Sequence, residues 1–461
     1  MALGRRESEQ QADLWIATTH LAQSPGHPFY ERLNALLRAA DFDGRTEELC
    51  APFYADRKGR PSVPPGVYFR MLLIGYFEGI GSERGIAWRC ADSLALRSFL
   101  GIALDEATPN HSSLCRIRQR LTVEVHEAVF QMVLEILEKH DLLKGKTIGI
   151  DATTLEANAA LRSIVRRDDG TGYDDFLKKL AKESGIETPT RSDLAKLDRK
   201  RPKKGSNEDW EHPHDPDAQI AKMKDGRTHL AHKSEHAVDM DSGAILAATL
   251  HGGVAGDTKT LSITMEAACE QALALGKEMP KEWVADKGYH CNATMELMHD
   301  LEQRSYISEP DRGKRNWKRK TTARDGTYAN RRRIKGERGK RLMRRRGEIV
   351  ERSFAHTLES GAMRRTWLRG HANILKRYLV HLAAFNLGLV MRKTIGAGTP
   401  RRLAGLKGLL RGLSACVSRS IRCSELWLLR VTQLCSISVA NPGTLQSHSE
   451  VAEYGPSSTP C

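Results

Sequence analysis

Three acids stand where a carboxylate is hard to explain as surface decoration. Asp151 ends the run Lys146-Thr147-Ile148-Gly149-Ile150, and Asp286 ends Glu282-Trp283-Val284-Ala285. Both runs are short, apolar and partly β-branched, which predicts buried strands that terminate in an acid. Glu351 lies on the stretch from Gly347 to Glu359, where Val350, Phe354 and Leu358 recur at helical spacing; Glu348, one turn earlier on a similar face, is its alternative. Carboxylates gathered in one place repel each other and rise in pKa unless a cation neutralises them. A set made only of oxygen ligands suits Mg²⁺ or Mn²⁺, and two such ions roughly 3.5–4 Å apart clamp the attacking and leaving oxygens of a phosphodiester. Singly, an Asp at a strand end is a common turn former. The combination predicts phosphodiester chemistry.

A partner for that chemistry is legible in the charge. The chain has 461 residues with 72 Lys and Arg against 57 Asp and Glu, a formal charge of +15. The excess is concentrated: Asp311 to Gly347 holds 17 Lys and Arg against three acids in 37 residues. Such density neutralises phosphates and releases counterions, so a polyanion, commonly a nucleic acid, is the expected partner. With Trp317, Tyr328 and several glycines interspersed, the segment reads as a loop or mobile arm.

The elements that must position these residues follow from periodicity. Residues from about Pro28 to Thr122 read as helices, with Tyr30, Leu33, Leu36 and Leu37 on one face and Tyr68, Met71, Leu72 and Tyr76 on another. Pro109-Asn110-His111-Ser112-Ser113 caps a short helix that Arg116, Arg118 and Arg120 make a candidate DNA-reading element. Val125 to Leu137 marks a long amphipathic helix. The pattern then turns extended at Lys146. Residues 160–228 are polar and aperiodic, an insertion with partial flexibility. Glu235 to Leu250 reads as a β-hairpin, Leu261 to Leu275 as a helix, and Leu375 to Leu389 as a final helix. This order is that of an α/β fold behind an all-helical segment: an N-terminal tail (1–27), a helical DNA-binding and assembly domain (28–143), a catalytic domain (146–395) and an atypical Ser-rich tail (396–461), a candidate for disorder.

Three blocks, Gly149-Ile150-Asp151-Ala152-Thr153-Thr154-Leu155-Glu156, Val284-Ala285-Asp286-Lys287-Gly288-Tyr289 and Gly347-Glu348-Ile349-Val350-Glu351-Arg352-Ser353-Phe354, resemble the catalytic blocks of bacterial insertion-sequence DDE transposases. Arg70-Met71-Leu72-Leu73, Gly81-Ser82-Glu83-Arg84 and Pro109 to Leu114 are similar to the helical N-terminal domain of that family. The resemblance implies an RNase H-like mixed sheet flanked by helices, divalent-metal-dependent cleavage and strand transfer at terminal inverted repeats, double-stranded DNA (element ends and target) as the partner, and a homodimer or higher assembly on it. It makes Asp151, Asp286 and Glu351 the catalytic and metal-holding acids. Lys287, Arg331, Arg332, Arg333, Lys335, Arg344, Arg345, Arg346 and Arg352 are the expected DNA contacts. Some members carry a Tyr, Arg, Glu, Lys signature; here its Tyr, Arg and Lys places fall on Arg344, Gly347 and Leu358. The alternatives are a DNA-binding derivative without catalysis and a nuclease that only hydrolyses.

Other constellations point elsewhere. His229, His232 and His236 with Asp239 lack the spacing of known zinc patterns. His212 to Asp217 reads as a polar loop, Asp257 as a helix cap, and Arg364, Arg365, Arg369 and Arg377 near Trp367 as an extension of the DNA surface. No Gly-rich P-loop indicates nucleotide hydrolysis. Nine scattered cysteines without a Cys-x-x-Cys pair read as reduced thiols, and Met1 to Gln11 has no apolar leader, so a cytoplasmic protein is expected, a bacterial one by the resemblance. Tyr378 to Met391 is interrupted by His381 and Asn386, short of the ~18–20 apolar residues of a membrane span; no membrane partner is expected.

Overall fold

The structure is a computed structural model, and it describes Ser24, residues 26–55, Gly59 and residues 61–201, 205–223, 226–311, 313 and 315–405. Most of the expected N-terminal tail, and residues 406–461 of the expected C-terminal tail, lie outside the described residues. The chain divides into two compact units, Met1–Leu403 and Ala404–Cys461; the elements below belong to the first.

The helical segment comprises α1 (Pro28–Ala39), α2 (Phe42–Cys50), α3 (Pro65–Glu78), α4 (Glu83–Ala91), α5 (Leu94–Leu100), α6 (His111–Arg120) and α7 (Val123–Lys139). The caps are those the sequence offers. Pro28 opens α1, Asn110 accepts from the Ser113 amide at the start of α6, and Gly79 ends α3 at φ 71°. Arg118 does not face outward as expected. It is buried and paired with Glu83 at 2.8 Å and with Asn373 at 2.8 Å, so it ties α6 to α4 and the C-terminal helix.

The sheet begins with β1 (Thr147–Glu156). The expected flexible insertion is folded: β2 (Val165–Arg166) pairs with β3 (Trp210–Glu211), and α8 (Tyr173–Glu183) and α9 (Arg191–Lys200) stand between them. Trp210, Ile164 and Leu230 form a small separate core, with Tyr173 and Phe176 against it. β4 (Gln219–Lys222), β5 (Thr228–Asp239), β6 (Ile245–Gly252), α10 (Asp257–Ala274), β7 (Glu282–Ala285), α11 (Asn292–Asp300), β8 (Arg304–Ile307), α12 (Thr321–Lys335), α13 (Glu337–Ala355) and α14 (His371–Ile395) follow.

The central path of the six-stranded sheet is β5-β1-β7-β8, with β4 and β6 sharing the outer edge of β5. β5 runs antiparallel to β1, whereas β7 is parallel to β1 and β8 to β7. The α/β class expected from the sequence, a mixed sheet flanked by helices behind an all-helical segment, is the architecture observed.

The basic segment differs from its expected loop. Residues 321–355 form α12 and α13, which meet at Gly336. Their buried face is built from Ala323, Thr327, Asn330, Leu342, Val350 and Phe354, small or widely spaced residues that the charge density hides. α14 closes the molecule. It packs on α7, α3 and β6, so the helical segment and the sheet share one core, with Tyr378, Leu382 and Phe385 inside it. The helical stretch His371–Gly405 is long and apolar enough to cross a membrane, but 89% of its apolar window is buried within the fold.

Candidate active site

Strand register sets the site. Gly149 of β1 pairs with Val284 of β7 in parallel, and Asp151 and Asp286 each lie two residues beyond that pair. Neighbouring strands run roughly 4.8 Å apart, so the two aspartates lie side by side just past the parallel pairing; Asp286 follows the end of β7 as expected, whereas β1 does not stop at Asp151 but continues to Glu156, paired with β5. α13 crosses closely here. A Cβ on Gly149 would sit 2.6 Å from Met240 Sδ and 3.1 Å from Val350 Cγ2, so a side chain there would displace Met240 and press on the helix at Val350.

α13 is fixed from below by His236 of β5. The ring stacks on Phe354 with centroids 4.0 Å apart. Ser353 Oγ already donates to Val350 O, so it accepts from His236 Nδ1 at 2.8 Å, and Nε2 then accepts from Tyr378 at 2.6 Å. Burial pushes this imidazole down to about 3, which keeps it neutral. Glu351 lies one turn before Phe354 on the same helix, exposed where Phe354 is buried, and both line the cleft described next.

Asp151, Asp286 and Glu351 line one cleft of about 850 Å³, together with Glu156, His229, Asp257, Arg346, Glu359 and Arg364. Glu348 does not reach it. That residue lines a smaller cavity with Asp241, Arg345 and Arg392, and it pairs with Arg352 at 2.5 Å. Three residues along a helix amount to about 300° of rotation, and that offset is enough to send the two glutamates into different cavities.

The three acids are held unequally. Asp151 Oδ1 accepts from the Ala152 amide at 2.8 Å, and Oδ2 accepts from Arg346 Nη1 at 2.6 Å. Burial raises its pKa above the usual carboxylate value; the Arg346 charge opposes that rise and the Asp286 charge adds to it. Asp286 is exposed and accepts from the Lys287 amide at 2.6 Å. Glu351 is exposed and makes no ion pair among the described residues.

A second charged cluster underlies the cleft. Lys233 Nζ donates to Asp257 at 2.7 Å, Thr260 at 2.9 Å and Ala255 O at 3.1 Å, and it lies 3.0 Å from Glu235. The buried Glu235 accepts from Thr260, from Thr264 at 2.6 Å and from Tyr289 at 3.0 Å. Tyr289 belongs to the turn after Asp286, so this network supports the second acid from inside. Asp257 is not a capping side chain: Gly256 holds the N-cap position of α10, while Asp257 pairs with Lys233 and faces the cleft. Nothing in its sequence context distinguishes it from an ordinary helix start.

The expected DNA-contacting cations separate into two groups. Lys287, Arg332, Lys335 and Arg344 are exposed and form no ion pair among the described residues. Arg331 instead pairs with Glu309 at 2.6 Å, Arg333 donates to Ser305 O at 2.9 Å, and Arg345 donates to Asp241 O at 3.1 Å. Arg346 and Arg352 are paired with Asp151 and Glu348. Near Trp367, Arg364 pairs with Glu359, Arg365 lies 3.7 Å from Glu156 and Arg369 donates to Asn158 O, whereas Arg377 is buried against Ile80 O.

A divalent ion finds suitable donors here, because carboxylates brought together from three distant segments are hard oxygen ligands. As the side chains stand, no group of three His, Cys, Asp or Glu among the described residues is close enough to hold a metal, and Arg346 occupies an oxygen of Asp151. The ligand types fit; closure requires side-chain movement.

Residues 19–120 match the family described as Transposase domain (DUF772). The match covers the helical segment from α1 to α6 and supports a transposase of the insertion-sequence type, with DNA as the general substrate. No curated protein and no solved structure matches the chain.

Proposed function

We propose that the protein is a DDE-type transposase that cleaves DNA at the terminal inverted repeats of an insertion sequence and transfers the cut strand, on an RNase H-like catalytic fold. The observation that carries this reading is the convergence of Asp151, Asp286 and Glu351 on one cleft. Those three would hold Mg²⁺ or Mn²⁺, which when bound supplies Lewis acidity to the scissile phosphate. Lys287, Arg332, Lys335 and Arg344 neutralise backbone phosphates and set the DNA across the sheet end. Water attacks phosphorus and the P–O3′ bond breaks, giving a 5′-phosphate and a 3′-hydroxyl. That hydroxyl then attacks a target phosphodiester and displaces its 3′-oxygen. No covalent protein–DNA link is required.

Labelled element ends supplied with Mg²⁺ and a target duplex test the reading. Joined product is expected. Cutting without joining identifies a hydrolytic nuclease, and binding without cutting identifies a DNA-binding derivative; either contradicts the proposal.

A further inference from the structure

The cleft already contains a cation of its own. Arg346 reaches over Gly149 and donates to Asp151 Oδ2 at 2.6 Å, with side chains 12% and 25% exposed. The pairing leaves the guanidinium incompletely satisfied. Arg346 Nε is buried and has no hydrogen-bond partner among the described residues, and an unanswered buried donor is unfavourable. Its neighbour Arg345 turns the other way, to Asp241 O. Arg346 therefore sits inside the acidic cleft with donor capacity unused, bound to the one acid of the three that is partly buried.

We propose that Arg346 is an internal counter-ion that holds Asp151 while DNA and divalent metal are absent, competes with the metal for that carboxylate, and transfers its guanidinium to a DNA phosphate when the cleft fills. The inference rests on the metal-holding reading of Asp151, Asp286 and Glu351 given above. A carboxylate oxygen that accepts from a guanidinium is a poor ligand until that donor leaves, and a fixed positive charge beside it repels a divalent ion. Asp151 offers the fork only Oδ2, because Oδ1 already accepts from the Ala152 amide, whereas a phosphate can accept two N–H bonds side by side. Metal and DNA then assist one another's entry, since each removes what opposes the other. Arg346 is a positioning residue in this scheme, acting on the metal through Asp151.

Titration of the full chain with Mn²⁺ alone, followed by the electron-spin resonance of free Mn²⁺ and without any DNA, reads this directly. Arg346→Gln is expected to bind Mn²⁺ about tenfold more tightly than the parent, equivalent to about 1.4 kcal/mol. Arg346→Lys keeps the competing charge and stays close to the parent. Adding a phosphorothioate duplex that resists cleavage tightens Mn²⁺ binding more in the parent than in Arg346→Gln. Equal or weaker Mn²⁺ binding by Arg346→Gln makes the arginine a brace for Asp151 and overturns the proposal. So does loss of the cooperative melting transition in that variant, because a counter-ion of a functional acid is dispensable for folding. Mn²⁺ binding by the parent that Asp286→Asn leaves intact would instead remove the metal from this cleft and sink the underlying reading.

Discussion

Two acidic clusters lie within one sheet end, and they are built on opposite terms. In the buried one, Lys233 finds Asp257, Thr260, Ala255 O and Glu235, while Glu235 is also met by Thr264 and Tyr289. In the open one, Asp151, Asp286 and Glu351 share a cleft with Arg346, whose charge is already engaged by Asp151. The first cluster is closed on itself and needs nothing from outside. The second has surplus negative charge at the surface, which is what a site awaiting a cationic or phosphate-bridged partner looks like. Asp257 touches both, as a partner of Lys233 and as part of the cleft wall.

The largest separation between the clusters is expected from Asp286→Asn. Strand cleavage in single-turnover assays falls by on the order of 10³-fold, about 4 kcal/mol of transition-state stabilisation, while melting and DNA affinity stay near the parent. A variant that cuts at the parental rate takes Asp286 out of the site. Lys233→Met gives the converse result. Leaving Glu235 buried without its cation destabilises the fold by about 3–5 kcal/mol in denaturant unfolding; an unchanged midpoint would mean that the lower cluster is not structural.

A smaller effect divides the basic segment in the same way. Glu309 is held down to about 2 from an ordinary 4.5, first by the hydrogen bond from Arg331 and further by Arg315. Its folded pKa is depressed, so its contribution is complete above pH 4.5 and is lost as the pH falls toward 2. Glu309→Gln therefore weakens the fold by about 2 kcal/mol at neutral pH, and the gap to the parent narrows near pH 3. A gap independent of pH would place the Arg331 pairing among ordinary surface pairs. The gentlest change is expected from the unpaired cations. Replacing Arg332, Lys335 or Arg344 by Gln lowers DNA affinity a few-fold and reduces the salt slope by roughly one for each phosphate that is no longer neutralised; unchanged slopes would take these side chains off the DNA path.

Much of this is legible in residue order. The short β-branched and apolar runs make β1 and β7 visible from local pattern; the acid marks the strand end only in β7, where Asp286 follows Ala285, whereas β1 continues through Asp151 to Glu156 because β5 pairs with it along that length. The convergence of the two aspartates is not visible there: it depends on the parallel Gly149–Val284 register, which no local feature encodes. The choice of Glu351 over Glu348 is likewise tertiary, because both sit on the same helix and the neighbours that separate them come from other segments. α12 is hidden for a different reason. Its buried side is small, with Ala323, Gly326, Thr327 and Asn330 lying where a periodicity argument looks for large apolar residues. The folded insertion escapes a local reading because Tyr173, Phe176 and Trp210 are far apart in sequence yet make one small core. Arg331 and Arg333 resemble DNA contacts by charge alone, and the acceptors that engage them, Glu309 and Ser305, come from a preceding strand and its flank.

Iron-directed cleavage tests the convergence of the acids without relying on turnover. With Fe²⁺ in place of Mg²⁺ and peroxide added, hydroxyl radicals cut the polypeptide beside the bound ion. The account predicts cuts near residues 151, 286 and 351 together, suppressed by excess Mg²⁺ and by Asp286→Asn. Cuts confined to other segments, or cuts at those three places that persist in Asp286→Asn, would contradict it.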